Sequence, residues 1–101
     1  MVMSYQLIFP TKNIEKRFEK FQKWLSEKER GLIKEAILAL KENPRPPGKA
    51  WKKLGNPVIL FQWIAQHRIR VGNYRVLYDI DDERKNVILL GIRRKNENTY
   101  E

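Results

Sequence analysis

The chain has 101 residues, a formal net charge of +9, 42% hydrophobic residues and no cysteine, which matches one modest hydrophobic core and leaves no room for a second domain. Without cysteine there is neither a disulfide framework nor a thiolate metal site, and the richest apolar run, residues 58–65, contains Gln62 and is too short to span a bilayer, so one cytoplasmic domain over residues 1–101 with no membrane partner is expected. Charge is placed unevenly: residues 12–43 carry nine Lys/Arg against six Glu, interspersed as on a solvated helix, whereas residues 44–94 carry eleven Lys/Arg against four acids, Asp79, Asp81, Asp82 and Glu83, bunched around one turn.

Residues 4–9 form a short β-prone run that ends at Pro10, where a ladder donor is lost. Thr11 and Asn13 are both suitable N-caps for a helix in which Ile14, Phe18, Phe21 and Leu25 recur at helical spacing, with Trp24 widening the apolar stripe. Ser26 and Glu29 make a capping-box pair ahead of Leu32, Ile33, Ala36, Ile37 and Leu40, and Asn43 before Pro44 stops this second helix. Two helices joined so tightly lie roughly antiparallel, and their apolar stripe needs a sheet to cover. PRPPGK, residues 44–49, reads as a stiff loop. Beyond it residues 58–63, 67–71, 74–80 and 87–92 are β-rich runs separated by turn residues. The expected fold class is α+β: an N-terminal strand, a helical hairpin, then an antiparallel meander of three to four strands, with the helices packed on one sheet face.

Residues 68–78, RIRVGNYRVLY, carry the functional signal. A two-residue loop at Gly72 and Asn73, with glycine first as a type II′ turn prefers, sets Val71 opposite Tyr74 and Arg70 opposite Arg75. Side chains alternate along a strand, so Arg68, Arg70 and Arg75 share one face with Leu77, while Ile69, Val71, Tyr74, Val76 and Tyr78 form the other. Like charges directly opposite one another destabilise a strand pair by a few tenths to about 1 kcal/mol. A bound polyanion offsets that repulsion, and guanidinium–phosphate contacts are among the stronger polar interactions. A single arginine on a sheet face is most simply a solubilising residue; three on one face, two of them opposed, read as a binding surface. Lys52 and Lys53 beside Trp51 extend it or form a solvated basic segment.

Other chemistries lack their residues. With one histidine, no cysteine and the acids gathered in one turn, neither a metal nor another cofactor is expected. PRPPGK lacks the spacing of a phosphate-binding glycine loop, and Ser4, Ser26 and His67 offer no recognisable triad. His67 falls on the apolar face and is expected in the core.

KKL at 52–54, HRIRVGNYRVLY at 67–78 and GIRRKNENTY at 91–100 resemble the RelE/ParE toxin superfamily, and the order of elements agrees along nearly the whole chain. The resemblance implies a RelE-like fold and a toxin of a type II toxin–antitoxin pair, neutralised by a RelB-like antitoxin with acidic or amphipathic segments in a hetero-oligomer. In the RelE branch it implies metal-free cleavage of mRNA in the ribosomal A site; in the ParE branch, binding of DNA gyrase; an inactive basic RNA- or protein-binding module is the third expectation. For the RelE branch the matched positions are Arg75, Arg93 and Tyr100 as catalytic residues, Tyr100 being the general base. Arg68, Arg70, Arg94, Lys52 and Lys53 hold RNA phosphate, with Arg94 competing with Arg93 for its role. Residues 56–66 exceed the usual link of this family, and an insertion, an early strand or an antitoxin-facing patch each accounts for them.

Overall fold

The computed structural model describes residues 4–60 and 62–94. The elements run β1 (Gln6–Ile8), α1 (Lys12–Lys23), α2 (Glu27–Ala39), β2 (Trp51–Leu60), β3 (Trp63–Val71), β4 (Tyr74–Asp81) and β5 (Asn86–Arg94). Of the two candidate caps it is Thr11 that starts α1, its hydroxyl accepting from the Ile14 N–H at 3.2 Å. At α2 both halves of the capping box form: the Glu29 N–H donates to Ser26 Oγ (3.1 Å) and the Ser26 N–H to Glu29 Oε1 (2.9 Å), which satisfies two otherwise orphaned donors.

Trp24 does not widen the α1 stripe. It is the C-cap residue, its N–H bonded to the Phe21 carbonyl, and its side chain is 77% exposed. Helical periodicity stops with the last turn, so the residues beyond it no longer follow the stripe: Trp24 leaves the buried face while Leu25 stays in the core.

The sheet order is β1-β5-β4-β3-β2. The meander β2 to β5 is antiparallel as expected, but β1 lies parallel to β5, with Leu7 opposite Val87, so the sheet is mixed. The early strand is the right account of residues 56–66: β2 begins at Trp51, and the break falls before Trp63, which starts β3. Pro57 sits in β2, an edge strand, where the pairing register shifts between Lys53 and Val58 and no ladder donor is required of it.

Both helices cover one face, α1 against β5 and α2 against β3. There Phe18, Leu25, Ile33, Ile37 and Leu40 pack with Ile69, Val76, Tyr78, Val87, Leu89 and Ile92. Each aliphatic side chain buried to this degree contributes about 1.5–3 kcal/mol relative to exposure. His67 lies in this layer as expected, 6% exposed and stacked between Trp51 and Tyr78 at ring-centroid distances of 5.8 and 5.6 Å. Burial, chiefly, lowers its pKa and favours the neutral ring. The Tyr78 hydroxyl donates to the Pro44 carbonyl at 2.6 Å and so pins the proline-rich loop to the sheet.

A second, smaller cluster (Ile14, Leu54, Val58, Ala65, Leu77 and Leu90) lies apart from the first. Its presence follows from curvature. β2 and β5 are three strands apart, roughly 14 Å in a flat sheet, yet a Cβ built on Gly91 of β5 would stand 3.4 Å from Cδ1 of Leu60 at the end of β2. The β2–β3 hairpin therefore curls back across the face that the helices leave open. Among the described residues no helix is long and apolar enough to cross a membrane.

Candidate nucleic-acid interface

The β3–β4 hairpin has the expected register, with Val71 opposite Tyr74 and Arg70 opposite Arg75. Gly72 has φ +60° while Asn73 is not among the positive-φ residues, the pattern of a type II′ turn. The next strand completes the arrangement: Arg93 lies opposite Arg75. Arg70, Arg75 and Arg93 therefore form one row across three adjacent strands, about 10 Å from end to end at the usual strand spacing. Ile69, Val76 and Ile92, their chain neighbours, belong to the helix-side core, so alternation puts the row on the face away from the helices.

Which of the two C-terminal arginines joins the row is decided by a β-bulge. Tyr78 pairs with Leu89 and Leu77 with Gly91, leaving Leu90 as an extra residue in β5. Val87 and Leu89 face the helices before the bulge and Ile92 faces them after it. That phase change gives Arg93 to the open face and sends Arg94 to the other, opposite Tyr74. Arg94 there acts on Tyr74 and on Glu29 of α2, and it is not part of the row of three. The Tyr74 pKa is raised by desolvation and by the Glu29 carboxylate.

Arg68 differs from Arg70 in exposure. It lies on the row's face of β3 but is 3% exposed, and its Nη1 donates to the carbonyls of Ala50 (2.5 Å) and Lys49 (3.4 Å). Its guanidinium ties the loop before β2 to β3. Lys52, opposite Arg68, is exposed, and Lys53 pairs with His67 one position along; alternation places these two lysines on different faces of the edge strand. Tyr100 lies outside the described residues. Among the described tyrosines, Tyr5, Tyr74 and Tyr78 all belong to the helix side, so none of them offers a base to the row.

Next to the row the structure places two cations, Arg17 and Lys20, that the sequence had given no part in binding. An open cleft of about 630 Å³ separates α1 from β5, with Arg17, Lys20, Phe21 and Trp24 on the helix, Gly91 and Arg93 on the strand, and Leu60 from the curled hairpin. The signal in the sequence is the spacing of Arg17, Lys20 and Trp24 on one helical face, which an alternating charge pattern masked. The acidic turn is accounted for locally: Asp82 accepts from Arg45 through both oxygens (3.2 and 2.9 Å) and from the Tyr5 hydroxyl (2.6 Å), which holds its pKa down at about 2.

A family model described as the ParE toxin of type II toxin–antitoxin systems matches residues 8–99. The chain belongs to this toxin family. No curated protein matches the toxin. Among solved structures its fold is similar to the archaeal RelE–RelB complex of Pyrococcus horikoshii OT3, with a TM-score of 0.71, 22% identity and coverage of 95% of this chain and 100% of the other. It is also similar to the toxin–antitoxin complex RelBE2 of Mycobacterium tuberculosis (TM-score 0.61, 24% identity, 90% and 98% covered). A third likeness is to a double arginine-to-alanine variant of Escherichia coli RelE in the free state (TM-score 0.57, 21% identity, 93% and 86% covered). At these identities the likeness establishes a shared fold, and the toxin's chemistry has to be argued from its own residues.

Proposed function

We propose that this toxin is a cytoplasmic, metal-free endoribonuclease that cuts mRNA in the ribosomal A site and is restrained by an antitoxin resembling RelB, in a hetero-oligomeric complex. The observation that carries the reading is the row of Arg70, Arg75 and Arg93. Two adjacent like-charge pairs are held in register by a bulge and a tight turn, and like charges directly opposite one another cost a strand pair up to about 1 kcal/mol. A phosphodiester laid across the row converts that repulsion into charge-assisted hydrogen bonds.

In the reaction the ribose 2′ oxygen attacks the adjacent phosphorus. The O2′–P bond forms, the P–O5′ bond breaks, and the products are a 2′,3′-cyclic phosphate and a 5′ hydroxyl. Arg75, at the centre of the row, and Arg93 bind the phosphate and stabilise the additional negative charge of the phosphorane; Arg70 holds the neighbouring phosphate. Tyr100 takes the 2′ proton, and the leaving 5′ oxygen takes one from solvent. A tyrosine of ordinary pKa, about 10, is a poor base near neutrality unless cations lie beside it.

The test is translation of a defined mRNA on purified ribosomes with wild-type toxin and an Arg75→Ala variant, mapping cuts by primer extension. Ribosome-dependent cuts that disappear in the variant are expected. Intact mRNA with folded wild-type toxin refutes the reading. The ParE description of the matching family model favours a second reading, inhibition of DNA gyrase. In that case the toxin blocks supercoiling by purified gyrase, and Arg75→Ala leaves the block in place.

A further inference from the structure

We propose that the cleft between α1 and β5 is a subsite for one unstacked RNA base, which lies against the Trp24 indole while Arg17 and Lys20 hold its phosphates. The inference deepens the polyanion reading of the arginine row and rests on it. Its starting point is the exposure of Trp24. An indole left 77% exposed at a C-cap adds nothing to the core, and a polar residue there would end α1 equally well. Tryptophan instead provides a flat aromatic face beside cations. Lys16, Lys20 and Lys23 border one side of it with Glu19, while Arg17, Lys20 and Arg93 border the cleft on the other. α1 carries five Lys/Arg against two Glu, a net of +3.

Two features make the cleft continuous with the row. Arg93 belongs to both, so a strand crossing Arg70, Arg75 and Arg93 runs directly towards Arg17 and Lys20. Gly91, opposite Leu77, presents no side chain to the cleft, and Leu60 packs on the side that a Cβ would take, so strand backbone and hairpin end close the cleft beside Arg93. Cations tracking a backbone next to an aromatic platform are the arrangement by which proteins hold single strands, because every base has a π-face. Apolar side chains, Phe18, Phe21, Leu60, Leu90 and Ile92, line the cleft together with Arg17, Lys20 and Arg93; the three cations favour a polyanion over a docked amphipathic protein helix, which is the alternative occupant that the experiment tests.

The experiment measures binding of a short, fluorescently labelled 2′-O-methyl oligoribonucleotide, which cannot be cut by 2′-oxygen attack, to the full-length toxin at low salt. Wild type, Trp24→Ala, Trp24→Phe and Arg75→Ala are compared, with circular dichroism as the fold control. Trp24→Ala is expected to weaken binding by about 5- to 100-fold, the range of one base–aromatic stack. Trp24→Phe should stay within about 3-fold of wild type, and an oligonucleotide abasic at the stacked position should lose the difference between wild type and Trp24→Ala. Equal affinity of wild type and Trp24→Ala, with Arg75→Ala impaired, overturns the subsite and leaves the nuclease reading standing. So does retained RNA affinity in a Trp24→Ala variant that no longer co-purifies with an antitoxin, since the cleft then serves a protein. Failure of the wild type to bind the oligonucleotide also overturns it. Trp24-dependent binding by a toxin that leaves ribosomal mRNA intact upholds the subsite and rejects the nuclease.

Discussion

Arg68 and Arg70 stand two residues apart on the same strand face, and truncating them should have opposite consequences. Arg68 is buried, with its guanidinium donating to the Ala50 and Lys49 carbonyls, whereas Arg70 is exposed and opposite Arg75. In Arg68→Ala the short bond to Ala50 is lost, and a charged donor to a carbonyl contributes about 1.5–3 kcal/mol. The longer bond to Lys49 adds a fraction of that. Removing the buried methylene stem costs about 0.8 kcal/mol per carbon, and relief from desolving the guanidinium offsets part of the sum, leaving a net loss of roughly 2–4 kcal/mol. For a domain of this size such a loss lowers the melting temperature by roughly 10–25 °C. Arg70→Ala should fall within about 0.5 kcal/mol of wild type, on the stabilising side if relief of the Arg75 repulsion dominates. Urea unfolding followed by tryptophan fluorescence, with RNA binding measured on the same preparations, separates the two. An Arg68→Ala variant as stable as wild type, or an Arg70→Ala variant less stable than Arg68→Ala, refutes the assignment of Arg68 as a structural clamp.

Two further outcomes concern the proline loop and the acidic turn. Tyr78→Phe deprives the buried Pro44 carbonyl of its donor and should lower the unfolding free energy by about 1–2 kcal/mol in urea; a change below about 0.3 kcal/mol would mean that the loop is held by other contacts. Asp82, with a folded pKa of about 2 set by Arg45 and then Tyr5, lies below the unfolded value of about 3.9, so its stabilisation is full above about pH 4 and disappears as pH falls towards 2. The urea midpoint of Asp82→Asn should therefore vary less with pH across that window than that of wild type, and parallel curves would contradict the linkage.

What could be read from the sequence was what depends on neighbours a few residues away. The Ser26–Glu29 capping box, the Thr11 cap and the Gly72–Asn73 turn each join groups within three residues of one another, and the hairpin register then places Arg70 against Arg75 without further information. His67 followed from the same alternation. Distant returns of the chain could not be read. Arg68 is withdrawn from the surface by carbonyls 18 and 19 residues earlier, and nothing in RIRVGNYR distinguishes it from Arg70. The parallel pairing of β1 with β5 joins residues about eighty positions apart, beyond the reach of any local pattern. Trp24 was misplaced because its spacing fitted a period that had already ended.

The choice between Arg93 and Arg94 shows how a backbone irregularity becomes chemistry. Extending regular alternation from Val87 and Leu89, which face the helices, would put residue 93 on the helix side and residue 94 on the open face. One inserted residue, Leu90, reverses this: Leu90 packs in the second cluster, Gly91 pairs with Leu77, and Arg93 rather than Arg94 meets Arg75. The bulge thus completes the row of three arginines, brings a residue without a side chain to the cleft, and gives the hairpin end room to fold Leu60 against it. A sheet without the bulge would retain its hydrophobic core on the helix side only by exchanging Ile92 for Gly91, and it would separate the cations that the polyanion reading requires together. The same insertion therefore serves packing and charge, and this is the physical reason to treat the row and the cleft, which share Arg93, as one surface from Arg70 to Trp24.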